Sequence, residues 1–374
     1  MKNRSDLKKA GRLVVKVGSS SLIYKNGKPN ISRMEYLARE LSDLRNSGKE
    51  VLLVTSGAQG VGLNRLGFSI RPKNIPEKQA VAAVGQGMLM HMYEKLFAEY
   101  GVTVGQVLLT KEDFSDRKRF LNARNTLYAL LGLGVIPIIN ENDTIAYDEI
   151  KLGDNDNLAA LVGGLIDADV LILLSDVDGL YSGDPRSVKD ASLIPEVREI
   201  TEEMERLAGG TGSSVGTGGM VTKLQAAKIA MHSGVVMVLA DASKKDVVRR
   251  VMAGEDIGTV FWPQVKLVNK KRWIAYSSSV QGKIFVDEGA AKALLSSGKS
   301  LLPSGITGVE GDFEIGNTVS VIDTHGNEIA RGIVNYSARD IEKIKGIHSH
   351  DIKRVLGQQD YEEVIHRNNL VSSL

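Results

Sequence analysis

The chain has no cysteine among its 374 residues, which excludes disulfides, thiolate metal centres and a cysteine nucleophile, and suits a reducing compartment. It also lacks a surplus of either charge. With 47 Lys and Arg against 45 Asp and Glu, no global field draws it to nucleic acid or to an acidic membrane. Histidine is scarce: the six residues (His91, His232, His325, His348, His350, His366) show no metal-ligand spacing beyond the His348/His350 pair. Long apolar runs are missing too. The basic start (Lys2, Arg4, Lys8, Lys9, Arg12) leads into an apolar stretch broken at once by Lys16 and Gly18, leaving no signal-peptide core or membrane span. A soluble, cytoplasmic protein is expected. Its length exceeds the roughly 250 to 300 residues that one core sustains, so two domains are expected as well.

Short Val/Ile/Leu runs are plentiful: Leu13 to Val17, Val51 to Val54, Val104 to Leu109, Val135 to Ile139, Val170 to Leu174 and Val235 to Leu239. Continuous runs of this length imply strands buried on both faces. Between the first two, Ser32-Arg-Met-Glu35 reads as a capping box, with Met34, Leu37, Ala38, Leu41 and Leu44 at helical spacing and Gly48 as a stop. Further helices are expected at Lys78 to Tyr100, Asn122 to Leu133, Leu158 to Ala168, Val221 to Ser233 and Lys245 to Ala253. The order predicts an α/β fold, a mainly parallel sheet sandwiched by helices, with ligands beyond the carboxyl ends of its strands.

The texture changes after Trp262-Pro263. The expected division is a first domain over 1–262, a basic linker over 263–277, a small barrel-like α+β domain over 278–357 and a tail over 358–374. In the small domain, Gln281 to Val286, Thr318 to Asp323 and Glu328 to Tyr336 alternate as half-buried strands, Thr324-His-Gly-Asn327 reads as a hairpin turn and Gly289 to Ser297 as a helix.

Several motifs carry chemistry. Gly216-Thr-Gly-Gly-Met-Val-Thr-Lys223 is a glycine-rich loop running into a helix with a lysine in its first turn; it is either a phosphate cradle or a helix entry with a solvated lysine. Lys16 ends the first apolar run beside Gly18, Ser19 and Ser20. It either meets an anion or extends its head to water from an edge strand. The second run ends likewise, in Thr55-Ser-Gly-Ala58. Ile139-Asn-Glu-Asn-Asp143 and Lys151-Leu-Gly-Asp-Asn-Asp-Asn-Leu158 interleave carboxylates with carboxamides, suited to a metal or to the ammonium group of an amino acid. A calcium loop is excluded, because Leu158 stands where the third ligand belongs and Ala159 where glycine belongs. Helix capping by Asp154 or Asn155 explains part of the second cluster but not both clusters. Ser175-Asp-Val-Asp-Gly-Leu-Tyr181 fits either a nucleotide-side loop or a turn.

Together, Val14-Val-Lys-Val-Gly-Ser-Ser20, Thr55-Ser-Gly-Ala58, Arg119-Phe-Leu-Asn-Ala-Arg124, Asn140-Glu-Asn-Asp143, Gly153-Asp-Asn-Asp-Asn157, Asp184-Pro-Arg186 and Gly216 to Lys223 resemble the amino acid kinase family, in particular its glutamate-phosphorylating members. The region from about Gln281, with Val286-Asp-Glu-Gly-Ala290 and Leu301-Leu-Pro-Ser-Gly-Ile306, resembles a PUA domain. The resemblance implies transfer of the γ-phosphoryl of ATP to the side-chain carboxylate of L-glutamate, opening proline biosynthesis. It implies Lys16, Lys223 and Asp156 as catalytic residues; Ser56, Asn140, Asp143 and Asn155 as glutamate-binding residues; and Lys16, Gly18, Ser19, Ser175, Asp176, Thr217, Gly218, Gly219, Met220, Val221, Thr222 and Lys223 as ATP-binding residues. Mg²⁺ would accompany ATP with no dedicated protein cage. L-proline as feedback inhibitor, a homo-oligomer, and hand-off of product to glutamyl phosphate reductase are further implications. Other amino acid kinases, for aspartate, N-acetylglutamate or uridylate, are the closest alternatives. RNA binding by the PUA-like region is disfavoured by charge, since residues from 278 onward hold 10 Lys and Arg against 13 Asp and Glu.

Overall fold

Arg12–Val17 (β1) is buried on both faces because helices cover both sides of the sheet it joins. In the computed structural model, the described residues are 1–24, 26–68, 70–146, 155–183, 188, 190–208, 219–263, 280–357 and 361–372. They fall into two compact units, 1–113 with 120–266, and 114–119 with 267–374.

In the first unit the further strands are Glu50–Val54 (β2), Val104–Leu109 (β3), Ile136–Glu141 (β4), Val170–Ser175 (β5), Leu180–Tyr181 (β6), Leu193–Ile194 (β7), Glu196–Val197 (β8), Val236–Asp241 (β9) and Thr259–Phe261 (β10). The helices are Ser19–Leu22 (α1), Ile31–Asn46 (α2), Ala58–Arg65 (α3), Ile75–Ala98 (α4), Lys111–Ser115 (α5) and Arg117–Gly132 (α6), apart from their residues within 114–119, then Asn155–Leu165 (α7), Glu202–Ala208 (α8), Met220–His232 (α9) and Val247–Met252 (α10). Eight strands form one sheet in the order β3-β4-β2-β1-β5-β9-β10-β8. The six apolar runs read from the sequence are its first six strands, all mutually parallel. β10 departs from that scheme and runs antiparallel to β9. No helix among the described residues is long and apolar enough to cross a membrane.

The register decides which residues share an edge. Lys16 is level with Val54 and Leu173, Val54 with Ile139, and Ser175 with Asp241, so the carboxyl ends of β1, β2, β4, β5 and β9 form one row. Side chains alternate between faces along each strand. Leu13, Val15 and Val17 pack with Met34, Leu37 and Leu41 of α2, Leu89, Tyr93 and Phe97 of α4, and Val247 and Val251 of α10. Val14 and Lys16 therefore point to the other face, where α7 lies against β1 and packs on α9.

One detail differs from the sequence reading, and two others were not read from the sequence. The cap of α2 is Asn30, whose Oδ1 accepts from the Arg33 N–H at 3.2 Å, so Ser32 lies inside the helix. The segment around Gly60 and Gly62 is the helix α3, and its glycines serve contact with α4: a Cβ on Gly62 would stand 2.0 Å from the Val81 carbonyl oxygen, and one on Gly85 would stand 1.7 Å from that of Ala58. The N-terminal extension is anchored. Leu7 is fully buried, and the Arg4 guanidinium donates to the carbonyls of Ile257, Gly258 and Pro195 at 2.7 to 2.8 Å.

The second unit holds a five-stranded sheet in the order β12-β11-β13-β14-β15, from Val280–Val286 (β11), Ile306–Gly311 (β12), Thr318–Ile322 (β13), Glu328–Ile333 (β14) and Leu370–Ser372 (β15). Its helices are Glu288–Ser297 (α11), Ala338–Ile344 (α12) and Ile352–Leu356 (α13). The expected hairpin turn is present, with Asp323 Oδ1 accepting from the N–H groups of His325 and Asn327. The segment 358–374, expected as a tail, instead supplies β15, which pairs antiparallel with β14 and buries Leu370 and Val371. Nearly all of the expected linker lies outside the described residues.

Candidate active site

Glycines open three of the helices that begin at the carboxyl edge: Gly18 before α1, Gly57 before α3 and Gly219 before α9, none with a side-chain cap. Elsewhere α2, α4, α11 and α12 are capped by the side chains of Asn30, Asn74, Asp287 and Ser337. An uncapped first turn leaves backbone N–H groups for a ligand, and the positive helix end favours an anion. Gly57 has φ +100°, a conformation that L side chains resist, so the Thr55-Ser-Gly-Ala turn requires glycine there.

Beneath this edge sits an ion triad. Asp156, in the first turn of α7, is fully buried, Lys16 is 4% exposed and Lys223, in the first turn of α9, is 6% exposed. Lys16 Nζ lies 2.5 Å from Asp156 Oδ1, and Lys223 Nζ donates to Oδ2 at 3.2 Å. Burial alone pushes the Asp156 carboxyl up, but the two ammonium groups and their hydrogen bonds hold it below the ordinary carboxylate range. Two cations on one anion leave a formal charge of +1 facing the glycine caps. That surplus suits a polyphosphate.

A carboxamide cluster lies beside the triad. The Asn155 Nδ2 group donates to Thr55 O at 2.6 Å, Ser56 Oγ at 2.9 Å and Asn140 Oδ1 at 2.8 Å, sharing two hydrogens among three acceptors. Asn140 is 2% exposed and donates in turn to Gln86 Oε1 at 2.8 Å. Next to it, Thr55 Oγ1 and the Tyr93 hydroxyl lie 2.8 Å apart, and burial pushes the Tyr93 phenol well above its usual range. Asp143 follows β4, with Gln59 Nε2 donating to its Oδ1 at 3.5 Å, and Arg71 donates to Gln59 Oε1. Ser175 Oγ donates to Asp176 Oδ1 at 3.0 Å just beyond β5.

Residues 11–241 match the profile of the amino acid kinase family and 282–356 that of the PUA domain. The chain is 56% identical to glutamate 5-kinase of Caldanaerobacter subterraneus subsp. tengcongensis, over 96% of this chain and 97% of that protein. It is 56% identical to glutamate 5-kinase of Carboxydothermus hydrogenoformans, over 98% and 99%, and 50% identical to that of Geobacter sulfurreducens, over 98% of each. The chain belongs to the glutamate 5-kinases of the amino acid kinase family.

For this amino acid kinase, the sequence-predicted residues divide as follows. Lys16, Asp156 and Lys223 meet directly, as do Ser56, Asn140 and Asn155. Gly18, Ser19, Ser175, Asp176, Gly219, Met220, Val221 and Thr222 stand along the same strand edge, Thr222 Oγ1 donating to Gly219 O at 2.8 Å. Thr217 and Gly218 lie outside the described residues, as do Gly153, Asp154 and the Asp184-Pro-Arg186 motif. Arg124 is remote from the site, paired with Asp167 at 3.5 Å and set over the Tyr128 ring, in the turn that precedes β5. Gln86, Tyr93 and Gln59 were not picked out from the sequence, and Thr55 only as part of the Thr55-Ser-Gly-Ala58 motif. A signal for Gln86 exists, since it is the one polar side chain in Val81 to Met90.

Proposed function

We infer that the chain transfers the γ-phosphoryl group of ATP to the side-chain carboxylate of L-glutamate, giving L-glutamyl 5-phosphate and ADP, the first step of proline biosynthesis. The observation that carries this reading is the buried Lys16–Asp156–Lys223 triad beside the Ser56–Asn155–Asn140 cluster, in a chain 50 to 56% identical to glutamate 5-kinases.

A glutamate carboxylate, with an ordinary pKa of about 4.3, is already an anionic nucleophile at neutral pH, so no general base is required. The barrier lies in bringing that anion against a polyphosphate. Positive charge and in-line positioning answer it. Lys16 and Lys223 neutralise oxygens of the transferring phosphoryl while the carboxylate oxygen bonds to phosphorus and the bond to the ADP oxygen breaks. Asp156 keeps the two ammonium groups in place before the nucleotide arrives. Gly18, Ser19, Ser175, Asp176 and the segment 217 to 223 hold ATP; Ser56, Asp143 and Asn155 hold glutamate. Asn140, hydrogen-bonded to Asn155, completes the glutamate pocket.

The described residues include no group of three or more His, Asp or Glu side chains able to hold a metal ion, and both Asp156 oxygens face lysines. They offer no protein cage for Mg²⁺, which would arrive on the nucleotide, held by phosphate oxygens and water.

With ATP and Mg²⁺, the purified protein should form a hydroxamate from L-glutamate and hydroxylamine, and do so at least about tenfold more slowly with L-aspartate, whose side chain is one methylene shorter. Equal rates with aspartate, or ATP turnover that needs no amino acid, would sink the assignment. L-proline shares an α-carboxylate and a cationic nitrogen with glutamate, so Asp143 opposite the ammonium group serves both ligands. Proline inhibition should then be relieved by raising glutamate, and Asp143→Ala should weaken proline inhibition and glutamate binding together. Inhibition unchanged at saturating glutamate would count against a shared site.

A further inference from the structure

α4 packs its apolar face under the sheet, yet at one point it delivers an amide. Gln86 is 8% exposed, and its Oε1 accepts from Asn140 Nδ2 at 2.8 Å. Asn140 Oδ1 accepts from the Glu141 N–H at 2.9 Å and from Asn155 Nδ2 at 2.8 Å. These three bonds fix which way the Asn140 carboxamide faces. Turned by half a rotation, its NH₂ group would confront two donors, while its oxygen would confront the Gln86 oxygen. Gln86 is thus the acceptor that makes one orientation of Asn140 favourable, and Asn140 in that orientation holds Asn155 against Ser56.

Two further observations set Gln86 apart from ordinary core filling. Its Nε2 is buried without a hydrogen-bond partner among the described residues, and an unmatched buried donor costs more than one formed hydrogen bond returns. A position needing only volume would be better served by Leu or Met. Its neighbour Gly85 sits where a Cβ would stand 1.7 Å from the Ala58 carbonyl oxygen, so α4 cannot shift away from the Thr55-Ser-Gly-Ala turn without losing a backbone-to-backbone fit. The amide is therefore held at a set distance from Ser56.

We propose that Gln86 is a positioning residue for the amino acid acceptor: it orients Asn140, which through Asn155 and Ser56 shapes the pocket for glutamate, and it has no part in binding ATP. The proposal rests on the reading of Ser56 and Asn155 as acceptor-binding groups.

The test is steady-state kinetics on the full chain with the hydroxamate assay. Gln86→Met keeps the volume and removes the acceptor. Its KM for glutamate should rise about 3- to 10-fold, the worth of one neutral hydrogen bond, while kcat stays within about twofold and the KM for ATP is unchanged. Gln86→Glu retains an oxygen for Asn140, and burial favours its neutral acid, so its glutamate KM should stay within about twofold of the parent. Asn140→Ala raises the glutamate KM by itself, and adding Gln86→Met to it should raise it no further. A folded Gln86→Met with unchanged glutamate KM, parallel rises in both KM values, or additive effects in the double variant overturns the proposal. Where Gln86→Met does not fold, Gln86→Glu decides: a tenfold rise in its glutamate KM overturns the proposal. Parent enzyme that turns over glutamate alongside an unaffected Gln86→Met refutes this inference alone, whereas parent enzyme inert toward glutamate refutes the function.

Discussion

Lys16→Ala and Lys223→Ala should each lower turnover by about 10²- to 10³-fold, the usual cost of removing one preorganised donor from the charge that develops in a transition state. The KM for glutamate should change far less. Both ammonium groups are almost fully buried and held on the two oxygens of Asp156, so their positions are set before any nucleotide enters. Arginine should not rescue either position, because a planar guanidinium is longer and flatter than the ammonium that fits against Asp156. The decisive measurement is kcat at saturating ATP and glutamate, with glutamate affinity followed separately. Either alanine variant keeping near-parental turnover would remove that lysine from the chemistry.

The parallel sheet was legible because strands buried on both faces must be continuous in Val, Ile and Leu, as Val170 to Leu174 is. The triad was half legible. Lys16 drew notice as a charge inside an apolar run, and Lys223 as a charge at a glycine-rich helix entry, but that one carboxylate joins them depends on the packing of α7 on α9. The helix α3 was not read from the sequence, because Gly60 and Gly62 weaken its helical pattern, and only the structure shows Gly62 as a helical residue that lets two backbones touch. The anchoring of the N-terminal segment was not legible either, since Arg4 sits in a basic, polar stretch and yet donates to carbonyls about 250 positions further along the chain. β15 is three residues long and carries no alternation long enough to read, so it emerges only once β14 offers an edge. Gln86 was overlooked for a related reason: a single polar residue within a helical apolar run has no period, and only its partner Asn140 shows what it does.

Asp156→Asn should be the most damaging single change to the resting protein, and the one that ATP repairs best. Removing the charge leaves two buried ammonium groups facing a neutral amide, and breaking a buried ion pair in this way costs about 3 to 5 kcal/mol. Turnover should fall as well, because the two cations repel each other out of register. A nucleotide triphosphate supplies the missing negative charge, so ATP should raise the melting temperature of Asp156→Asn by more than it raises that of the parent. Acidity gives a second reading. The Asp156 carboxyl titrates below its ordinary 3.8, which means that the folded state binds the proton less readily than the unfolded one. Its contribution is therefore fully present above that ordinary value and is lost as pH falls through the depressed one. The stability gap between parent and Asp156→Asn should be constant from about pH 5 to 8 and should narrow only below about pH 4. Urea midpoints across that range, with and without ATP, measure both effects. A gap that closes near neutrality, or an ATP shift no larger in the variant than in the parent, would show that Asp156 is not what holds the two lysines.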